Sequence, residues 1–76
     1  MATIKRFGNC KIAIYPDDHP PPHVHIDGPE VEAMVRLDPF GVVEGDAGKV
    51  REALEWAREN AAFLLEEWHR YNRLKR

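Results

Sequence analysis

Three of the four histidines lie within nine residues, in the stretch from Asp17 to His25. The stretch reads Asp-Asp-His-Pro-Pro-Pro-His-Val-His, so two carboxylates and three imidazoles flank a run of prolines. Imidazole titrates near neutral pH and binds transition metals, and a carboxylate can orient it or act as a further ligand. These residue types predict proton transfer, metal ligation or anion binding, and they make this stretch the candidate site.

His23 and His25 are one residue apart on a predicted strand, which places both imidazoles on one face with their Cβ atoms about 7 Å apart. The pair could share a divalent transition metal with a third ligand. We predict His19 as that third ligand. The other candidates are Asp17, Asp18 and the distant His69. An extended proline run would hold His19 and His23 roughly 12 Å apart at Cα, so a metal site that uses His19 requires a bend in the prolines.

General acid–base catalysis is a second interpretation of the same residues. Two histidines on opposite sides of a phosphodiester can move protons to and from it, as in an RNA-cleaving enzyme. The catalytic set would be His19, His23, His25 and Asp18, with Asp17 or Asp18 orienting His19, and no metal would be required. A third interpretation is structural, with the histidines hydrogen-bonded on a partly exposed sheet and the prolines stiffening a connector. The residues alone leave all three open.

Alternating apolar residues before residue 45 predict the strands that position this stretch. The predicted strands are 4–7, 10–15, one beginning at His23, 31–37 and 42–44. Gly8-Asn9 is a two-residue turn typical of a hairpin. The period of two places Cys10, Ile12 and Ile14 on the core face of the second strand.

The C-terminal part changes to a helical period after Asp46, a predicted N-cap. Its apolar seam, with alternating spacings of four and three, consists of Val50, Leu54, Ala57, Ala61, Leu64, Trp68 and Tyr71. The seam passes Asn60 without a change of phase, which predicts one long helix. A helix of about 25 residues is roughly 37 Å long, whereas a globule of this chain length is about 30 Å across, so the end of the helix should overhang the domain. Trp68, Tyr71 and Arg73 would then be available to a protein partner.

The length of the chain predicts a single domain, and the change of period predicts an α+β fold. In it a small antiparallel sheet of about five short strands, in residues 1–45, packs on one long helix in 46–76. The net charge of −2 argues against binding nucleic acid through the whole surface, although RNA contact at a local patch stays open. A single cysteine excludes an internal disulfide framework and favours the cytoplasm. Without an apolar run of about 18 residues, no membrane partner is expected. A core this small favours stabilisation by a partner or by a second copy of the chain.

The run from Asp18 to His25 resembles the Asp-His-x-Pro-Pro-His-x-His signature of the DhiT-like toxins, a family of small bacterial proteins long classed as a domain of unknown function. Glu44-Gly45 before the helix, Glu55-Trp56-Ala57 within it and Trp68 near its end also look like the family pattern. The resemblance implies the toxin of a type II toxin–antitoxin pair, with a cognate antitoxin as partner and the histidine stretch as the active or target-binding site. The target could be RNA. The alternative is a non-enzymatic metal-binding or protein-interaction module.

Overall fold

The computed structural model describes residues 2–16 and 18–72 and confirms the α+β class. The strands are β1 (Ala2–Arg6), β2 (Lys11–Ile14), β3 (His23–Asp27), β4 (Glu32–Leu37) and β5 (Phe40–Glu44). A 3-10 helix (Ala47–Val50) leads into α1 (Arg51–Glu59), and α2 (Ala61–Asn72) follows. Asp46 caps the 3-10 helix, its side chain accepting the Gly48 amide, so the predicted N-cap is confirmed.

The five strands form one antiparallel sheet in chain order, β1-β2-β3-β4-β5. The predicted first hairpin is present, and its turn is closed by the Phe7 amide donating to the carbonyl of Cys10 at 2.7 Å. β3 lies at the centre, hydrogen-bonded to β2 on one side and to β4 on the other. The candidate histidines therefore stand on the strand that the sheet supports from both sides.

The core forms where alternate strand residues meet the helices. The buried strand side chains of this core are Ile12, Ile14, Val24, Ile26, Ala33, Val35 and Leu37, and Ala13 is buried outside it. Those of the helical segment are Val50, Ala53, Ala57, Leu64 and Trp68. The period of two gives the sheet an apolar face, and the period near 3.6 gives each helix an apolar side. These two apolar surfaces pack against each other.

The prediction of one continuous C-terminal helix is wrong, because the helix is interrupted at Asn60. The backbone of Asn60 has φ −115° and ψ 24°, outside the α-helical region. Its side-chain amide donates to the carbonyl of Trp56 at 2.8 Å, and its backbone amide donates to that same carbonyl at 3.0 Å. An asparagine that bonds locally to the backbone competes with helix continuation. Leu64 still donates to the Asn60 carbonyl, so the apolar seam continues in phase across the break.

The predicted overhang does not occur in the described part of α2. Leu64, Trp68 and Asn72 are all buried, so the helix packs on the domain up to its last described residue. Trp68 is only 6% exposed and belongs to the core, which removes it from the predicted partner surface, whereas Tyr71 is 38% exposed. The third predicted partner residue, Arg73, lies outside the described residues.

Candidate functional site

Strand β3 holds His23 and His25 as a pair. They alternate with Val24 and Ile26, whose side chains are completely buried, so both imidazoles lie on the other face of the strand. The ring centroids are 5.1 Å apart and the ring planes are inclined by 67°. The side chain of His23 is 9% exposed and that of His25 is 17% exposed. The pair is therefore largely shielded and reaches solvent mainly through His25.

Asp18 completes a cluster with these two histidines. Its Oδ2 lies 2.9 Å from His23 Nε2 and 3.1 Å from His25 Nε2. One ligand atom from each of the three residues lies within 4.8 Å of the other two. The connector between β2 and β3 thus folds back on the start of β3, and the peptide bond between Pro20 and Pro21 is cis. We call these three residues the Asp18 cluster.

His19, the predicted third histidine of the site, is not part of the Asp18 cluster. Its side chain is exposed, and its backbone amide donates to Asp18 Oδ1 at 3.0 Å. His69 is exposed on α2 beside the ring of Trp68. Asp17 lies outside the described residues. Asp18 therefore contacts the paired histidines of β3 and does not orient the ring of His19, which was one of the two carboxylate roles considered in the acid–base interpretation.

The second ring nitrogen of His23 is also engaged. Its Nδ1 lies 2.8 Å from the backbone carbonyl oxygen of Pro21. A carbonyl oxygen only accepts, so Nδ1 must carry the hydrogen. In the neutral imidazole, Nε2 is then the nitrogen with the free lone pair, and it faces Asp18 Oδ2.

The carboxyl group of Asp18 is held in its ionised form. Partial burial opposes ionisation, but the hydrogen bonds from His25 and from the amide of His19 outweigh it, and the nearby charge of the two imidazoles adds to them. Together they lower the pKa of Asp18 below its ordinary value. Oδ1 accepts the His19 amide, which leaves Oδ2 directed at the two imidazoles.

Tyr15 is a supporting residue that the sequence analysis did not identify. Its ring stacks on the imidazole of His25 with centroids 4.3 Å apart and planes inclined by 28°. Its hydroxyl donates to Asp27 Oδ2 at 2.9 Å. This hydrogen bond raises the pKa of Tyr15, and partial burial and nearby carboxylates raise it further. The neutral phenol therefore fixes one side of the His25 ring.

Asn72 is a second residue that the sequence analysis missed. Its side-chain oxygen accepts the backbone amide of Asp18, and its side-chain amide donates to the carbonyls of Trp68 and Tyr15. It therefore joins the end of α2 to the connector on both sides of residue 17. A polar residue four positions after the buried Trp68 is the sequence signal that could have indicated this role.

The surface beside His25 is acidic. A shallow depression of about 390 Å³ is lined by His25, Met34, Glu32 and Glu44, together with Ala33 and Gly45. Both glutamates are exposed. Arg36 pairs with His23 across the sheet, but its Nε donates to the carbonyl of Pro39 at 2.9 Å. The charges around the open side of the Asp18 cluster therefore favour a cation over an anion.

Comparison with known proteins identifies the family. Residues 9–69 match the family described as a domain of unknown function, DUF4160. The chain belongs to this family. No curated protein and no solved structure gives a significant match. The DUF4160 match contains the whole Asp18 cluster and Tyr15, whereas Asn72 lies beyond its end. None of the helices in the described residues of this DUF4160 chain has the length and apolarity to cross a bilayer.

Proposed function

We propose that this chain is the toxin of a bacterial type II toxin–antitoxin pair that acts in the cytoplasm through its Asp18 cluster. The observation that carries the proposal is that three signature residues, Asp18, His23 and His25, converge in one largely shielded group. Burying polar and charged groups costs free energy that a small domain can barely supply. A cluster of titratable side chains that the apolar core does not need is characteristic of a functional site.

The cluster's geometry gives little support to the two-histidine mechanism of RNA cleavage. That mechanism needs one free ring nitrogen on each side of a phosphodiester. Here the Nε2 atoms of His23 and His25 both face the same oxygen of Asp18. Glu32 and Glu44 on the open side would also repel a phosphate backbone. RNA is therefore the less favoured target, and the proposal does not depend on it.

The proposed partner is the cognate antitoxin, and a second copy of the chain is the alternative partner. The core position of Trp68 means that neither would bind through this side chain. Tyr71 is at the surface and keeps its proposed role as a partner contact. A non-enzymatic module that binds metal or protein is the alternative function, and it predicts no effect of the chain alone on growth.

Growth of a bacterial host after induction of the chain alone tests the proposal. The test variants are Asp18→Asn, His23→Ala and His25→Ala, and the matched controls are His19→Ala and His69→Ala, which alter exposed histidines outside the cluster. We expect the wild type and both controls to arrest growth and the three cluster variants to permit it. Co-expression of the protein encoded by the adjacent gene should restore growth of the wild-type strain.

Two results would contradict the proposal. One is normal growth with a wild-type chain that is soluble and folded by circular dichroism. The other is growth arrest by cluster variants that is as strong as the wild-type effect. Each variant should be checked for helical signal and urea midpoint, so that loss of toxicity through unfolding is recognised.

A further inference from the structure

We infer that the Asp18 cluster is a binding site for a divalent transition metal, with Asp18, His23 and His25 as the three protein ligands. The inference deepens the proposed function by naming the occupant of the site, although it rests on coordination geometry and can be tested without any growth assay. It replaces the predicted ligand set, because Asp18 takes the position that was assigned to His19.

The spacing of the three ligand atoms already suits a metal ion. Bonds of about 2.0–2.2 Å from zinc to nitrogen and oxygen place neighbouring ligand atoms roughly 2.8–3.6 Å apart at right-angled or tetrahedral geometry. Asp18 Oδ2 lies 2.9 Å from His23 Nε2 and 3.1 Å from His25 Nε2. All three ligand atoms lie within 4.8 Å of one another. Small side-chain adjustments would be enough to surround an ion.

The hydrogen bond of His23 to Pro21 prepares its other nitrogen for a metal. With Nδ1–H donated to the Pro21 carbonyl, a neutral His23 directs the lone pair of Nε2 at Asp18 Oδ2, 2.9 Å away. Two acceptors at this distance repel unless a proton or a metal ion lies between them. Metal-binding histidines very commonly donate their second N–H to a backbone carbonyl or a carboxylate, which fixes the tautomer.

The other two ligands are positioned by contacts that lie outside the site. Asp18 is held by its own amide, which donates to Asn72, and by the His19 amide, which donates to Oδ1 and leaves Oδ2 facing the two imidazoles. The imidazole of His25 is held by the stacked ring of Tyr15. A site whose ligands are fixed before the ion arrives loses less conformational freedom on binding.

The ligand types indicate which metal would bind. Two imidazoles and one carboxylate suit zinc or ferrous iron, whereas calcium and magnesium prefer oxygen ligands. Within the described chain the group contains three ligands, and structural zinc sites almost always use four. The open position would therefore hold water or substrate, as in catalytic sites. Glu32 and Glu44 beside His25 would attract the incoming cation.

The test is a zinc titration of purified protein without a histidine tag, made metal-free by dialysis against a chelator. Competition with a chromophoric chelator measures the affinity. We expect one equivalent of Zn²⁺ to bind, and Asp18→Asn, His23→Ala and His25→Ala each to weaken binding about 100-fold or more, at least the loss seen when supporting residues are removed. His19→Ala and His69→Ala should leave the affinity within about threefold, as expected for surface changes.

A second readout uses only the wild-type chain. Long-range ¹H–¹⁵N spectra follow each imidazole, and zinc should shift the Nε2 resonances of His23 and His25 while those of His19 and His69 stay unchanged. Absence of stoichiometric binding would overturn the inference, as would wild-type affinity in Asp18→Asn or a loss in His19→Ala equal to that in His25→Ala. Zinc binding without growth arrest refutes only the proposed function. Cluster-dependent arrest without metal binding refutes only this inference.

Discussion

Asn72 accepts the backbone amide of Asp18 in a hydrogen bond of 2.6 Å, between residues 54 positions apart in the chain. Its side-chain amide also donates to the carbonyl of Trp68, in the preceding turn of α2, at 2.9 Å. The last described turn of α2 thereby fixes the position of the connector that carries Asp18. The geometry of the Asp18 cluster depends on a helix residue outside the histidine stretch.

Replacing Asn72 with alanine should loosen this attachment. The variant leaves the Asp18 amide without its side-chain acceptor and removes the side-chain donor to the carbonyls of Trp68 and Tyr15, so we expect the free energy of unfolding to fall by about 1–3 kcal/mol. Zinc affinity should fall about 10- to 100-fold, as for other residues that orient metal ligands. Urea denaturation and chelator competition measure the two effects.

The matched control for Asn72 is Arg70→Ala on the same helix. It removes an exposed ion pair between Arg70 and Glu67, 3.1 Å apart, that should contribute less than about 1 kcal/mol. Arg70→Ala should leave zinc affinity unchanged. If Asn72→Ala behaved like Arg70→Ala in both assays, the attachment would have no role in forming the site.

Tyr15→Phe separates the two contacts of Tyr15. The phenyl ring can still stack on His25, but Asp27 loses the donor to Oδ2, and its buried Oδ1 has no partner among the described residues. We expect the free energy of unfolding to fall by about 1–3 kcal/mol. Zinc affinity should stay within about threefold of wild type, because the change is not in contact with the ligand atoms.

Tyr15→Leu is the companion variant, since it removes the stacked ring as well as the hydroxyl. Zinc binding should be weaker in Tyr15→Leu than in Tyr15→Phe, whereas stability should fall in both. Equal zinc affinities in the two variants would show that the stack on His25 does not position this ligand.

Gly45→Ala should destabilise the junction between β5 and the helical segment. Gly45 has φ +97°, a conformation that other residues rarely adopt, and an added Cβ would collide with the carbonyl oxygen of Glu32 and with Ala33. Strain and overpacking of this kind cost about 1–3 kcal/mol each. Gly8→Ala is the matched control, because a Cβ there meets nothing within 4 Å. Similar urea midpoints for the two variants would contradict this explanation.

Cys10 should react slowly in the folded protein. It is 7% exposed, and burial, with a smaller contribution from Glu52, raises the pKa of its thiol. The reactive thiolate is therefore scarce at pH 8, and we expect disulfide-exchange reagents to modify the chain much faster in urea than in buffer. Equal rates would be inconsistent with the buried position.

The same shift of Cys10 gives a dependence of stability on pH. The raised pKa means that the folded state favours the protonated thiol. The stabilisation that Cys10 contributes is therefore fully present below the unfolded thiol pKa of about 8.5. This stabilisation is lost as the pH rises through the higher pKa that Cys10 has in the folded state. The free energy of unfolding should therefore fall more steeply above pH 8.5 in the wild type than in Cys10→Ala.

The sheet could be predicted from sequence because each strand can be recognised from the apolar residues within it. In β4 the buried residues Ala33, Val35 and Leu37 alternate with more exposed ones, as expected from the period of two. In β2 the expected core residues Ile12 and Ile14 are buried, but Ala13 between them is buried as well. The break at Asn60 could not be predicted from periodicity. The apolar spacing is the same on both sides of Asn60, and the interruption depends on a local side-chain hydrogen bond from Asn60 to Trp56.

The pairing of His23 and His25 also followed from strand geometry, whereas their third partner did not. His19 and Asp18 are adjacent in sequence, and the path of the connector decides which of them reaches the pair. That path depends on Asn72 and on the carbonyl of Pro21, contacts that no spacing rule contains. Asp18, which the sequence offered both as an orienting group for His19 and as one of four candidate third ligands, faces the other two histidines.

The most direct test of the account is a crystal structure of the chain grown with zinc, with data collected at the zinc absorption edge. The account predicts one anomalous peak about 2.0–2.2 Å from Asp18 Oδ2, His23 Nε2 and His25 Nε2. It would be contradicted by a map with no peak between these atoms in crystals grown at a zinc concentration well above the measured dissociation constant, or by a peak that has His19 as a ligand.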